Sequence, residues 1–279
     1  MVFTFALLSA QNQRFTYEYA FVVDSTNKSH VEKELLVLDV IPTGSQFYSY
    51  AKFKDDSLSV VEMQRQANSG SETVDVALNY TGKINYTVAK KYPTFETVMH
   101  IPIGQDDYRV LEDRKMSWKI SAEKEKIGEF ETQKAETTLY SRKWTAWFTT
   151  EIPIQDGPYK FYGLPGLIVK IQDHTKTHSF ELKGIAKYVD NNKLQIDKEY
   201  NYENEIPISY LQYKKLFLEQ RNDPTKTLRE LLNKAGTTIK MFGRDGNEVK
   251  PSEILREREL QGKENRKKNN NPLELDLLQ

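Results

Sequence analysis

From Arg14 onward, apolar and polar residues alternate along this chain with a period of two. In "RFTYEYAFVVD" Phe15, Tyr17, Tyr19 and Phe21 fall on one face, with Thr16 and Glu18 on the other. That spacing predicts a half-buried strand. "ELLVLDVI" (34–41) predicts a second strand, stopped by Pro42 and Gly44, and "SQFYSYAKF" (45–53) a third. Asp55-Asp56-Ser57 can cap a short helix running to about Ala67, before the breaker cluster Asn68-Ser69-Gly70-Ser71. Further strands are predicted at 73–78, 83–91, 95–101, 108–112 and 116–121. "TTLYSRKWTAWFTTEIPI" reads as a hairpin turning at Tyr140–Arg142. Its second arm sets Trp144, Ala146 and Phe148 against Thr145, Trp147 and Thr149. "LIVKIQD" and "HSFELKGIAKYV" form another hairpin around Thr175-Lys176.

The last third changes period. "PISYLQYKKLFLEQRND" places Leu211, Leu216, Phe217 and tyrosines at helical spacing. Asp223-Pro224 opens a second helical stretch, and residues 252–268 form a charged third. Strands without intervening helices mean an antiparallel sheet rather than a βαβ fold. The expectation is a mainly β, β-rich α+β fold: a curved antiparallel sheet or incomplete β-barrel with C-terminal helices packed on it. A single domain over 11–250 is followed by a charged helix and flexible tail over 251–279.

Composition narrows the class. Lys plus Arg and Asp plus Glu balance at 40 each in 279 residues, which argues against nucleic acid bound by a global positive field. No run approaches the ~20 apolar residues of a membrane helix. "MVFTFALLSA" resembles the tail of a signal peptide, an apolar run and then small residues, without the basic start. Residues 1–10 are read as that residual leader, and the protein as exported: periplasmic or outer-membrane-associated. With no cysteine in the chain there are no disulfides, no thiolate zinc site and no lipoprotein anchor. Asn27-Lys28-Ser29, Asn79-Tyr80-Thr81 and Asn85-Tyr86-Thr87 match the glycosylation pattern and are read as chance matches.

Chemistry is sparse. His174 and His178 are four apart but lie in a predicted hairpin, without a third ligand. The chain has no G-x-S-x-G, Walker or G-x-G-x-x-G pattern. Pro165 removes a backbone donor where a phosphate cradle would need one. No metal or cofactor is expected. Glu151 and Asp156 could form a carboxylate pair beside Trp144, Trp147, Tyr159, Phe161 and Tyr162, as hydrolysis of a glycoside would require. The plainer reading is an exposed acid and a turn-opening Asp156-Gly157-Pro158.

"WTAWFTTEIPIQDGPYKFYGLPGLIVKIQD" (144–173) resembles the signature of the GLPGLI family of Bacteroidetes proteins, with the name motif complete from Gly163 to Ile168. "RFTYEYAFVVDST", "FYSYAKFKDDSL", the "QKA" at 133–135 and Asn271-Pro272-Leu273-Glu274-Leu275 fit the same resemblance. It implies an envelope protein and carries no activity or catalytic residues with it. The candidate ligand rim comprises Trp144, Trp147, Asp156, Gly157, Pro158, Tyr162, Gly163, Leu164, Pro165, Gly166, Leu167 and Ile168. The expected function is a non-enzymatic binding protein for an apolar small molecule, a lipid or an envelope component. The alternatives are an interaction subunit of an outer-membrane protein complex and an envelope hydrolase using Glu151 and Asp156.

Overall fold

A computed structural model describes residues 12–55, 65, 82–187, 204–233, 241–242 and 248–279. The expected leader over 1–10, the expected strand at 73–78, the Asn79 sequon and most of the expected 55–67 helix lie outside the described residues.

Twelve strands form one open sheet: β1 (Gln13–Phe21), β2 (Glu32–Ile41), β3 (Gly44–Ser49), β4 (Thr87–Lys91), β5 (Glu96–Ile103), β6 (Asp106–Glu112), β7 (Lys119–Ile127), β8 (Phe130–Leu139), β9 (Arg142–Thr149), β10 (Leu167–Asp173), β11 (His178–Lys187) and β12 (Ile206–Ser209). The spatial order is β12-β6-β5-β4-β3-β2-β1-β11-β10-β9-β8-β7. Two meanders, β1 to β6 and β7 to β11, are therefore stitched back to back by the antiparallel β1–β11 pair. Residues 241–242 and 248–249 pair as a small separate ribbon. In the last third, the described residues form the helices α1 (Tyr210–Asn222), α2 (Lys226–Leu232) and α3 (Pro251–Lys268) and a 3-10 helix at Leu275–Leu278.

The expected all-antiparallel sheet needs one correction. β12 runs parallel to β6, with Ile206 beside Tyr108 and Ser209 beside Leu111. It is an outer strand, and there Pro207 is tolerated because its missing N–H breaks no ladder on the open side. The third expected strand also stops early. β3 ends at Ser49, whose Oγ accepts the Lys52 N–H at 3.2 Å, and the chain turns helical from Tyr50. A hydroxyl that satisfies a first-turn N–H wins over continued alternation. In α1, Tyr210 and Tyr213 are buried, whereas Leu211, expected on the packed stripe, is 76% exposed.

Alternation sorts the sheet into faces. Phe15, Tyr17 and Tyr19 of β1 register with Leu38, Leu36 and Glu34 of β2, and Tyr19 with Phe180 of β11. The same face continues through Phe47, Val88, Met99 and Val110 on one side and Ile171, Ala146 and Ala135 on the other. These residues, Glu34 apart, belong to one buried cluster. Tyr19 stacks on Phe180 with centroids 4.2 Å apart, and Tyr17 meets Phe47 edge-on at 6.4 Å. Among the described residues, the loop 150–166, the C-terminal residues 269–279 and Tyr210 and Tyr213 of α1 pack on this cluster.

Candidate functional site

The loop between β9 and β10 is where sequence and structure converge. It leaves the sheet after Thr149 and reaches back across the buried face to β3 and β4. Asp156 is fully buried there. Its carboxylate pairs with Lys90, accepts from the hydroxyls of Ser45 and Tyr92, and accepts the Gly157 N–H at 2.6 Å. Lys90, equally buried, donates also to the carbonyls of Gly157 (2.8 Å) and Phe161 (3.2 Å). Burial pushes the Lys90 ammonium below its ordinary pKa, against the pull of Asp156. Every donor of Lys90 and both oxygens of Asp156 are engaged, as a buried ion pair requires.

The remaining expected rim residues divide into two sets. Pro158 accepts the Phe161 N–H through its carbonyl at 3.1 Å, and Gly163 donates to Gln155 at 2.9 Å. Tyr162 stacks on Phe95 (4.8 Å, 2° between planes), and its carbonyl accepts from the Trp118 indole at 2.8 Å. Leu164, Leu167 and Ile168 are fully buried, and the Ile168 carbonyl accepts from Tyr17 at 2.8 Å. Trp144 lies under the loop, edge-on to Phe161 at 4.9 Å. Gly163 and Pro165 are exposed at the turn, and Gly166 is buried against Thr149. Trp147 stands apart. Its alternation partner set places it on the other face, with the Lys134 ammonium 5.9 Å from its ring. The structure thus brings eleven of the twelve residues into one loop-and-support unit and leaves Trp147 behind the sheet.

Glu151 and Asp156 do not converge. Glu151 is exposed and accepts the Glu131 N–H at 2.9 Å, while Asp156 is sealed with Lys90. His174 is exposed and His178 buried, and no group of three or more His, Cys, Asp or Glu that could hold a metal occurs among the described residues.

The C-terminal segment, expected to be a flexible tail, is held by two polar clusters. Arg142 is the first anchor. Its guanidinium donates to Asn271 Oδ1 (2.6 Å), Pro272 O (2.7 Å), Leu273 O (3.0 Å) and Asp173 (3.1 Å). Beside it, His178 Nε2 lies 3.1 Å from the Asn271 carbonyl and Nδ1 2.7 Å from the Tyr19 hydroxyl. A donor at Nε2 and an acceptor at Nδ1 is the neutral imidazole. Burial and the Arg142 charge lower the His178 pKa to about 3. The second anchor surrounds Glu274, which accepts from Lys160 (2.6 Å), Tyr159 (2.7 Å) and Arg114 (3.2 Å). Lys160 also binds Glu112 at 2.9 Å, and Arg114 also binds Asp276 at 2.8 Å while lying over the rings of Tyr210 and Tyr140. Burial alone would raise the Glu112 pKa, but Arg114 and Lys160 hold it below the usual carboxylate range. The motif Asn-Pro-Leu-Glu-Leu is visible in the sequence, but its side-chain receptors, from His178 to Arg114, stand 93 to 160 residues upstream.

Leu164 and Phe161 of the loop and Leu277 of the tail are buried in this face. Open space lies instead beside it, in a groove of about 590 Å³ between β5 and helices α1 and α3. Ile101, Ile103, Tyr213, Phe217 and Pro272 form apolar walls, and Asn85, Gln220 and Arg221 supply polar groups. A neighbouring depression of about 410 Å³, lined by Tyr19, Tyr86 and His178, shares Val23, Asn269, Asn271 and Pro272 with it.

Fold and site together define a β-rich, open-sheet protein whose buried face is closed by its own loop and tail. Residues 136–170 match a family model described as a protein of unknown function (Porph_ging). That match spans the end of β8, β9, the loop and the start of β10. No curated protein sequence matches the chain. Among solved structures the chain is similar to PNGF-II in two crystal forms, P21 and C2. Each gives a TM-score of 0.53 at 14% identity over 76% of this chain and 34% of the solved one. The chain spans about a third of the PNGF-II chain, and the likeness is one of fold. No helix among the described residues is long and apolar enough to cross a membrane.

Proposed function

We propose that this chain is a non-enzymatic binding protein of the cell envelope, taking an apolar small molecule or lipid, and that the groove between β5 and the helices is its ligand site. The observation that carries the reading is the groove itself: about 590 Å³, within the range of small-molecule sites, with apolar walls and a few converging polar groups. The reading differs from a GLPGLI-loop mouth, because Leu164, Leu167 and Ile168 are fully buried and leave that loop as architecture. The separation of Glu151 from the buried, ion-paired Asp156 favours binding over hydrolysis. Export rests on the leader-like start, and membership of the GLPGLI family on the motif from Gly163 to Ile168.

Native mass spectrometry of the protein purified from a bacterial periplasm, followed by extraction of any bound molecule, tests this. The expected result is a stoichiometric apolar adduct that disappears in the folded Phe217→Ser and Ile103→Ser variants. A clean apo mass, or an adduct indifferent to both substitutions, overturns it.

A further inference from the structure

The tail is held in the manner of a bound peptide rather than as a packed terminus. Arg142 reads three consecutive positions, taking the side-chain oxygen of Asn271 and the carbonyls of Pro272 and Leu273 with one fixed guanidinium. On the other side of the backbone, the N–H groups of Asn270 and Asn271 both point to the Val23 carbonyl at 3.1 Å, and the Leu275 N–H reaches the Tyr140 carbonyl at 3.1 Å. Main-chain bonds on both sides, with a few side-chain pockets, are the usual basis of peptide recognition. The pockets are specific. The Asn271 amide donates to the Val22 carbonyl at 2.7 Å and so fills its donor as well as its acceptor. The Glu274 carboxylate, 3% exposed, meets two cations and a phenol. Asp276 meets Arg114, and Leu277 is buried.

What joins this segment to the body is less firmly seated. α3 carries no buried residue along its 18 positions. It is tied mainly through backbone carbonyls at helix ends: Arg221 donates to Arg266 O and Asn269 O, and Arg266 to Asn222 O. The arm is therefore a tethered segment whose hold is concentrated in residues 269–279.

We propose that the rim formed by Arg142, His178, Tyr159, Lys160 and Arg114 is a peptide-recognition site for an Asn-Pro-x-Glu-x-Asp segment that turns into a 3-10 helix at Leu275–Leu278, filled in this chain by its own C-terminal residues and able to take the same segment from a second copy. None of these five receptors lines the groove proposed above, although Asn271 and Pro272 of the segment do; peptide exchange and ligand retention are separate readouts, so either reading can fail alone. In cis the tether keeps the local concentration of the segment high, so a free peptide competes only once the tether is cut.

The test uses the full chain, folded intact, with a specific protease site inserted between Lys250 and Pro251. After cleavage, a fluorescent peptide of residues 251–279 is added and followed by anisotropy. The expected result is that the cut arm stays bound to the body and exchanges with the labelled peptide. Labelled peptides carrying Asn271→Ala or Glu274→Lys should bind at least about a hundredfold more weakly, because each leaves a buried cation or amide site unpaired. A peptide with Leu260→Ala, altered only on exposed α3, should bind like the unaltered one. Failure of the unaltered peptide to enter overturns the proposal, whether the cut arm stays locked in place or leaves with unfolding of the body. So does equal binding of all the peptides.

Discussion

A β-carbon on Gly166 would stand 2.0 Å from the carbonyl oxygen of Thr149, a distance no side chain can occupy. Gly166 begins the return of the loop into β10, and Thr149 ends β9, so the two strands can pair at Leu167–Thr149 only if residue 166 has no side chain. Gly157 is constrained in the same way, with a β-carbon 2.7 Å from the Ile168 side chain. Gly163 differs: its φ is +91°, and nothing lies within 4 Å of the added atom. Gly166→Ala should therefore cost at least ~3 kcal/mol or abolish folding, whereas Gly163→Ala should cost about 1–2 kcal/mol, the usual penalty of a positive φ for a non-glycine residue. Urea unfolding of both variants checks the order; equal losses would refute it.

The buried pair Lys90 and Asp156 gives a second expectation. Replacing Asp156 by Ala leaves an ammonium in the core with only two carbonyls, and should cost about 3–5 kcal/mol. Lys90→Met should cost a similar amount. The double variant should lose clearly less than the sum, by ~2 kcal/mol of coupling, since neither charge is then stranded. A double-mutant cycle on unfolding free energies measures this, and strict additivity would contradict it. Glu151→Gln, on the exposed side of the loop, should leave the unfolding midpoint where it is.

Much of this was legible beforehand, for reasons of range. The β1 alternation of Phe15, Tyr17, Tyr19 and Phe21 and the hairpins around Tyr140–Arg142 and Thr175–Lys176 are local facts; the alternation and both hairpins form there, with Arg142 already the first residue of β9. Tyr140 and Ser141 both take positive φ, 58° and 55°, which suits a tight hairpin but is not announced by either residue type. What was not legible is long-range. Asp156 reads as a turn former until Lys90, 66 positions away, is placed against it. Asn271 reads as part of a flexible tail until Arg142 is 2.6 Å from it. Two-sided burial also hid boundaries: all of Gly44–Ser49 is buried, so no alternation marked where β3 stopped.

Arg142 supplies a third test. Its guanidinium serves five different partners, Leu273, Asp173, Thr177, Asn271 and Pro272, in fixed directions, which a single ammonium cannot reproduce. Arg142→Lys should cost ~2–4 kcal/mol. It should also raise hydrogen exchange at the Asn270, Asn271 and Leu275 amides well before exchange rises in β1 or β11. Uniform protection across tail and sheet would show that Arg142 is not what holds the segment.

The last expectation concerns pH. His178 is neutral in the folded protein, with a pKa lowered to about 3, while in the unfolded chain it titrates near ~6.5. Below ~6.5 the unfolded state binds the extra proton, so stability falls as pH drops from ~6.5 toward 3. By pH 5 the loss should be about 2 kcal/mol, a figure insensitive to the folded pKa so long as that lies below ~4.5. Glu112 and Asp173, both held below the ordinary carboxylate range, add a further loss in the same direction, but only below about pH 4.5. The two contributions separate by substitution. His178→Gln should lower stability at pH 7 yet flatten the slope between pH 6.5 and 5, leaving the acid limb in place. Unfolding free energies at half-unit pH steps decide it: an unchanged slope in the variant would mean that His178 is not the group that titrates.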